Sequence, residues 1–347
     1  MSMPVAMKWR KMFVIFAVIV VCVSMMLSGC ATTNTTQSET EGSSDQPIQI
    51  ALSPWPGWYI WYLAEEKGFF KKRGVNVELK WFPVYSDSLQ ALSTGQVDAN
   101  SQTLSDTLAP LSKSIPLKVV LVNDNSNGGD AIVSKPGINS IADLKGKTVA
   151  TELGTVDHLL LLTALANAGM KETDINYVNM TVNDAGPAFI NGKVDAAVLW
   201  EPFQTKAVKD GGGKVLFSSK ETPGLIPDLL VFKAETVEKR GDDIQKVVNA
   251  WFDALAELKA HPDESIAILA KKAEQTPAEF KEGLDTIKVF TKADNIKAFD
   301  ALDGYESLSF TGGKTAEFLQ GLEMVSSIPD VKAALEPKFV KAAEAAE

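Results

Sequence analysis

From residue 48 onward, short apolar runs rich in β-branched residues alternate with longer stretches of helical period. IQIAL (48–52), VNVELKWF (75–82), LKVVLVN (117–123), DAIVSKPG (130–137) and KTVATE (147–152) predict strands. YIWYLAEEKGFF, SDSLQALSTG, LSDTLAPLSKS and VDHLLLLTALANAG predict helices, each closing on glycine or a polar turn. This alternation predicts an α/β fold of parallel sheets with helices on both faces. One more strand, LLVFKA, starts near residue 230, and the chain beyond it reads as almost wholly helical. Trp251 and Phe252 head an amphipathic run to Leu258, a tail suited to cover the first part of the fold.

The pattern also repeats. Gly95-Gln96-Val97-Asp98-Ala99 and Gly192-Lys193-Val194-Asp195-Ala196 each follow a strand and a helix, and they lie about 100 residues apart, a spacing suited to two similar lobes rather than a solenoid. The expected division places residues 47–133 and 230–347 in lobe 1 and residues 134–229 in lobe 2. Two α/β lobes joined by two crossings leave a cleft at the carboxyl ends of their strands, where small ligands bind in such folds.

Ahead of the domain, Lys8, Arg10 and Lys11 precede an apolar block over residues 12–27 and then Leu27-Ser28-Gly29-Cys30. Residues 1–30 therefore read as a secretion signal. Its end resembles the bacterial lipobox, in which Cys30 is lipidated and becomes the new amino terminus; an uncleaved anchor helix is the alternative. The Thr/Ser-rich residues 31–46 read as a flexible tether. Either way the domain is expected on the extracytoplasmic face of the cell membrane.

The chain has two cysteines, Cys22 in the signal and Cys30 at its end, so the mature domain has no thiol for a disulfide, a metal cluster or a nucleophile. Its two histidines, His158 and His261, are far apart in sequence, so neither a metal site nor a cofactor is expected. The leader holds three of the 34 basic residues and no acidic one, which leaves 31 against 44 acidic residues, a net charge near -13. That balance argues against nucleic acid as a partner.

Taken together, the lipobox, AEEKGFFKKRGVNVEL, the two Gly-x-Val-Asp-Ala units, ADLKGKTVA and LWEPF (199–203) resemble the substrate-binding lipoproteins of nitrate/sulfonate/taurine-type ABC importers, over residues 47–345. The resemblance implies the two-lobed, type II periplasmic-binding fold, a monomer, and delivery of a small ligand to ABC permease and ATPase subunits. SPWPGW, DANSQTLSDTL, VLVNDNSNGGDAI and GTVDHLLL look most like the branch associated with urea carboxylase, which implies import of guanidine or urea.

The loops that follow the strands are expected to face the cleft. They carry Trp55 and Trp58, then Tyr85 and Asp87, then Gln102, Thr103 and Asp106 in lobe 1. In lobe 2 they carry Glu152, Thr155, Asp157 and His158, then Trp200 and Glu201, then Asp228, and none of these turns contains Arg or Lys. The proposed ligand-binding set is Trp55, Trp58, Asp87, Gln102, Thr103, Asp106, Glu152, Asp157, Trp200, Glu201 and Asp228. Plainer roles compete for several. Asp157 suits the first turn of any helix, Glu152 can be a solvated strand end, and Asp106 an exposed charge. Asp98 and Asp195 repeat with the lobes and are expected to be structural.

A buried anion without a cation partner costs several kcal/mol or more, so these acidic loops are poorly suited to nitrate or a sulfonate. Guanidinium is planar, permanently charged and purely a donor, and it pairs with carboxylates and stacks on indole. It is the expected ligand, with nitrate, an aliphatic sulfonate or taurine, and urea as alternatives. The fold also resembles the pyrimidine-forming synthases of thiamine biosynthesis, but those carry an iron-binding cysteine cluster that this chain lacks, so no enzyme activity is expected.

Overall fold

The apolar runs become strands close to where the pattern places them. A computed structural model describes residues 46–344 apart from residue 301; the expected signal, Cys30 and the tether up to residue 45 lie outside the described residues. In chain order the strands are β1 (Ile48–Leu52), β2 (Val77–Trp81), β3 (Ala99–Thr103), β4 (Leu117–Ser126), β5 (Asp130–Ser134), β6 (Thr148–Thr151), β7 (Asn176–Asn179), β8 (Ala196–Trp200), β9 (Lys214–Ser218), β10 (Pro227–Lys233) and β11 (Ile287–Val289). They form two sheets, of order β11-β4-β10-β3-β1-β2 and β7-β6-β8-β5-β9. With β11 set aside, the two orders follow one plan, and the repeat read from the sequence is a repeat of architecture.

Apart from β11, which is antiparallel to β4 at the edge, one strand in each sheet runs against its neighbours. β10 is antiparallel to β3 and β4, and β5 is antiparallel to β8 and β9. These are the strands by which the chain arrives from the opposite lobe, so the sheets are mixed rather than all parallel as expected. The expected divisions, after residues 133 and 229, fall inside β5 and β10. Hydrophobicity marks a strand but does not reveal which sheet will hydrogen-bond it. The crossings themselves are residues 127–129 and 219–226.

The Gly-x-Val-Asp-Ala units turn from helix into strand by the same contacts. Gly95 and Gly192 take φ of 77° and 74°, a left-handed conformation that favours glycine. Asp98 Oδ2 then accepts the Gln49 amide at 3.0 Å and Asp195 Oδ2 accepts the Thr148 amide at 2.9 Å. Both aspartates therefore tie the third strand of a sheet to the first, the structural role expected of them.

The helical tail packs on lobe 1 through an aromatic contact. Trp61, on helix Ile60–Glu66, meets Trp251, on helix Gly241–Ala260, with ring centroids 4.5 Å apart. Both are fully buried, and an aromatic side chain that buries roughly 150–250 Å2 contributes about 4–6 kcal/mol at ~25 cal/mol per Å2. In lobe 2, helices Val156–Asn167 and Val182–Ile190 cover β6 and β8.

Candidate functional site

The turn after β1 sets the first wall of the cleft. Trp55 carbonyl accepts the Trp58 amide at 3.1 Å, closing a tight turn over Pro56 and Gly57. Gly57 has no freedom to be larger, because a Cβ there would lie 2.0 Å from Asp124 Oδ2. This close approach brings Trp55 Nε1 within 3.0 Å of Asp124 Oδ1, to which it donates. An aromatic wall continues across the lobes: Trp58 lies 5.5 Å from Tyr85 between ring centroids, and Tyr85 lies 5.5 Å from Trp200, edge to face.

The crossing strands bring the acids into register with that wall. Asp228, on β10, stands opposite both Asp124 on β4 and Thr103 on β3, while Asp130, on β5, stands opposite Trp200 on β8. Pro54, Trp55, Trp58, Tyr85, Thr103 and Asp228 line a small cavity from lobe 1, joined by Ile226, and Asp130, Val156 and Trp200 line it from lobe 2. Its volume is about 10 Å3, the space of about one water molecule. So small a space admits no ligand larger than a water molecule unless the lobes part.

Behind the lining, Asp106 joins the lobes. Its Oδ2 accepts Tyr85 Oη at 2.8 Å and Thr103 Oγ1 at 2.9 Å from lobe 1, and the Val156 amide at 3.3 Å from the first turn of helix Val156–Asn167 in lobe 2. Burial pushes the Asp106 carboxyl up to about 7, against the lowering effect of those three donors. Asp157 is wholly buried beside it with neither carboxyl oxygen hydrogen-bonded. Burial, then the charges of Asp130, Glu152 and Asp106, hold Asp157 well above the carboxylate range. Asp124 and Asp228 face each other across β4 and β10, Oδ2 of each has no hydrogen-bond partner, and burial raises both. Burial likewise raises Asp130, Glu152 and Glu201. No ion pair to Lys or Arg is formed by any of these seven acids among the described residues.

A protein-family model described as NMT1/THI5 like matches residues 55–265, more than half of the chain. The chain belongs to the NMT1/THI5-like family. It is similar to an Escherichia coli (strain K12) protein provisionally named aliphatic sulfonates-binding, 30% identical over 263 residues that cover 72% of this chain and 78% of that one. It is also 28% identical over 214 residues to the taurine-binding periplasmic protein of the same organism, covering 58% and 66% of the two chains. The crystal structure of the periplasmic aliphatic sulphonate binding protein SsuA from Escherichia coli matches with a TM-score of 0.70 at 25% identity, covering 84% of this chain and 93% of that one. The fold is thus the type II periplasmic-binding fold expected from the sequence.

Within this NMT1/THI5-like cleft, the expected residues separate into three groups. Trp55, Trp58, Thr103, Trp200 and Asp228 line the cavity together. Asp106 and Asp157 stand directly behind it, and Glu152 is buried just past the end of β6 with Oε2 unpartnered. Asp106 is buried, not the exposed charge its helical position allowed. Asp87, Gln102 and Glu201 are not lining residues. Asp87 is exposed on helix Tyr85–Ser93. Gln102 is held within lobe 1, donating to Thr107 Oγ1 at 2.9 Å and accepting from Asn100 Nδ2 at 3.0 Å. Glu201 turns to the start of helix Phe203–Lys209, where Thr205 Oγ1 donates to it at 2.8 Å. The sequence reading proposed neither Asp124 nor Asp130 and left Tyr85 out of the binding set. No signal marked them: β4 runs on through Asn123-Asp124-Asn125-Ser126, residue types that ordinarily end a strand in a turn.

Proposed function

We propose that this protein is the extracytoplasmic solute-binding component of an ABC importer, anchored through Cys30, and that its solute is guanidinium. The observation that carries the choice of solute is the cavity wall: indole rings and buried carboxyls, with no Lys or Arg paired to any of the acids among the described residues. Guanidinium presents a flat face to Trp55, Trp58 or Trp200 and directs its N–H groups outward to Asp130 and Asp228. The protein binds and releases; it makes and breaks no covalent bond.

A sulfonate or nitrate is the second reading, favoured by the names of the relatives and by two buried indole N–H groups, on Trp58 and Trp200, that lack acceptors. An anion would accept from those groups but would require Asp130 and Asp228 to stay protonated, and each that ionises beside it costs several kcal/mol. Urea, with a carbonyl for the indoles and amides for the acids, lies between the two. Thermal melting with each solute separates them, because a ligand of the native state raises the melting temperature. Guanidinium should raise it and taurine, nitrate and urea should not; a rise with taurine or nitrate alone would overturn the assignment.

A further inference from the structure

Seven carboxyl groups meet at the facing ends of the two sheets: Asp106, Asp124 and Asp228 from lobe 1, and Asp130, Glu152, Asp157 and Glu201 from lobe 2. Each is more than nine-tenths buried. Asp130 Oδ2 and both oxygens of Asp157 have no hydrogen-bond donor. Oδ2 of Asp124 and Oδ2 of Asp228, which stand opposite each other on β4 and β10, are unpartnered as well. Among the described residues no three of these groups converge as metal ligands do.

Isolated buried carboxylates cannot remain ionised; they take up protons instead. Nothing packed against the cluster relieves this. Tyr85 faces Asp106 and is itself neutral, with its hydroxyl raised by burial. Asp87 and Asp184 face Glu152 with further negative charge. Glu282 faces Glu201, and Lys209 beside it is engaged by Glu282 at 2.5 Å. His158, next to Asp157 in sequence, hydrogen-bonds Glu172 at 2.5 Å and the Gly154 amide at 3.3 Å.

From this arrangement we infer that guanidinium and protons compete for the same acids: the empty cluster holds protons, and the cation displaces them as it binds. The inference rests on the guanidinium reading above. Asp130 and Asp228 line the cavity and Asp106 and Asp157 flank Val156, which lines it too, so the parting of the lobes that admits the cation brings it to these acids. A neutral ligand such as urea would release none. Binding strength therefore depends on pH, and the sign follows from linkage. Acids raised in the empty state and lowered beside the cation give tighter binding as pH rises, about tenfold in Kd per pH unit for each proton released. The dependence levels off once the empty cluster has itself lost those protons.

The test is calorimetric titration of the purified full-length protein with guanidinium chloride from pH 6 to 9, in pairs of buffers that differ in ionisation enthalpy. The expected result is release of one proton or more per guanidinium, with Kd tightening as pH rises. Equal heats in paired buffers together with a constant Kd would overturn the inference while leaving guanidinium as the ligand. Absence of binding at every pH would remove the guanidinium reading instead. Proton storage is then measured alone, by difference acid–base titration of the ligand-free protein against Asp130→Asn and Asp106→Asn. A group lost from each variant that titrates above the ordinary carboxylate range supports storage, and no difference from either overturns it.

Discussion

Asp106→Asn isolates the energetic cost of keeping an acid in the closed cleft. The carboxyl goes from 3.8 to about 7 on burial, a rise of roughly three units at 1.36 kcal/mol each, or about 4 kcal/mol. Its folded value lies above its unfolded one, so the stability tied to its proton is fully present below about pH 4 and is lost as pH rises through about 7. An asparagine contributes no such term, yet its Oδ1 can still accept from Tyr85 Oη, Thr103 Oγ1 and the Val156 amide, which all bond a single oxygen of Asp106. Relative to pH 4, the variant should therefore gain about 4 kcal/mol on the wild type by pH 8, or roughly 8 °C in melting temperature at about 2 °C per kcal/mol. Thermal melts followed by circular dichroism measure this; urea and guanidinium are avoided as denaturants because both are candidate ligands. Parallel melting profiles of the two proteins from pH 4 to 8 would refute the reasoning, since they would mean that Asp106 is not buried in its ionised state.

Four further outcomes are expected. Trp58→Ala and Glu152→Gln should each weaken guanidinium binding by about 1–3 kcal/mol, roughly 5- to 150-fold in Kd by calorimetry; unchanged affinity in both would show that the site lies elsewhere. Asp87→Asn, at an exposed position outside the cavity, should bind within about 0.5 kcal/mol of wild type, and a large loss would restore Asp87 to the ligand shell. Gly57→Ala should lower the melting temperature and weaken binding, because its Cβ collides with Asp124; a protein indistinguishable from wild type would contradict the tight turn. Asp98→Ala and Asp195→Ala should each cost about 1–3 kcal/mol of stability through the lost amide bonds of Gln49 and Thr148, with guanidinium affinity retained in the folded fraction.

Periodicity revealed much of this fold and little of its centre. β1, β4 and β5 begin where their apolar runs begin, and helix Val156–Asn167 follows its leucine pattern. β3 could not be read that way. Its sequence, ANSQT, has no apolar alternation, yet every residue is buried, because Asn100, Ser101 and Gln102 satisfy one another and their neighbours. Trp61 Nε1 donates to Ser101 Oγ at 3.1 Å and Asn100 Nδ2 to Ser88 Oγ at 3.2 Å. The candidate site shows the same division. Trp55, Trp58 and Trp200 follow from the rule that the carboxyl ends of strands face the cleft, whereas Asp228 stands at the start of the crossing strand β10. Asp124 and Asp130 do not, since each lies within a strand whose sheet and direction depend on which lobe the chain has just left. Gln102 and Glu201 sit at strand ends as well, but short-range partners, Thr107 and Thr205, take their side chains.

The central claim is that the closed cleft recognises a planar cation. Its most direct test is an equilibrium calorimetric titration of the purified protein at pH 8, with guanidinium, taurine and nitrate in turn. Saturable binding of guanidinium to a single site, with no heat of binding from taurine or nitrate, is the predicted result. Saturable binding of taurine or nitrate with none of guanidinium would contradict the account.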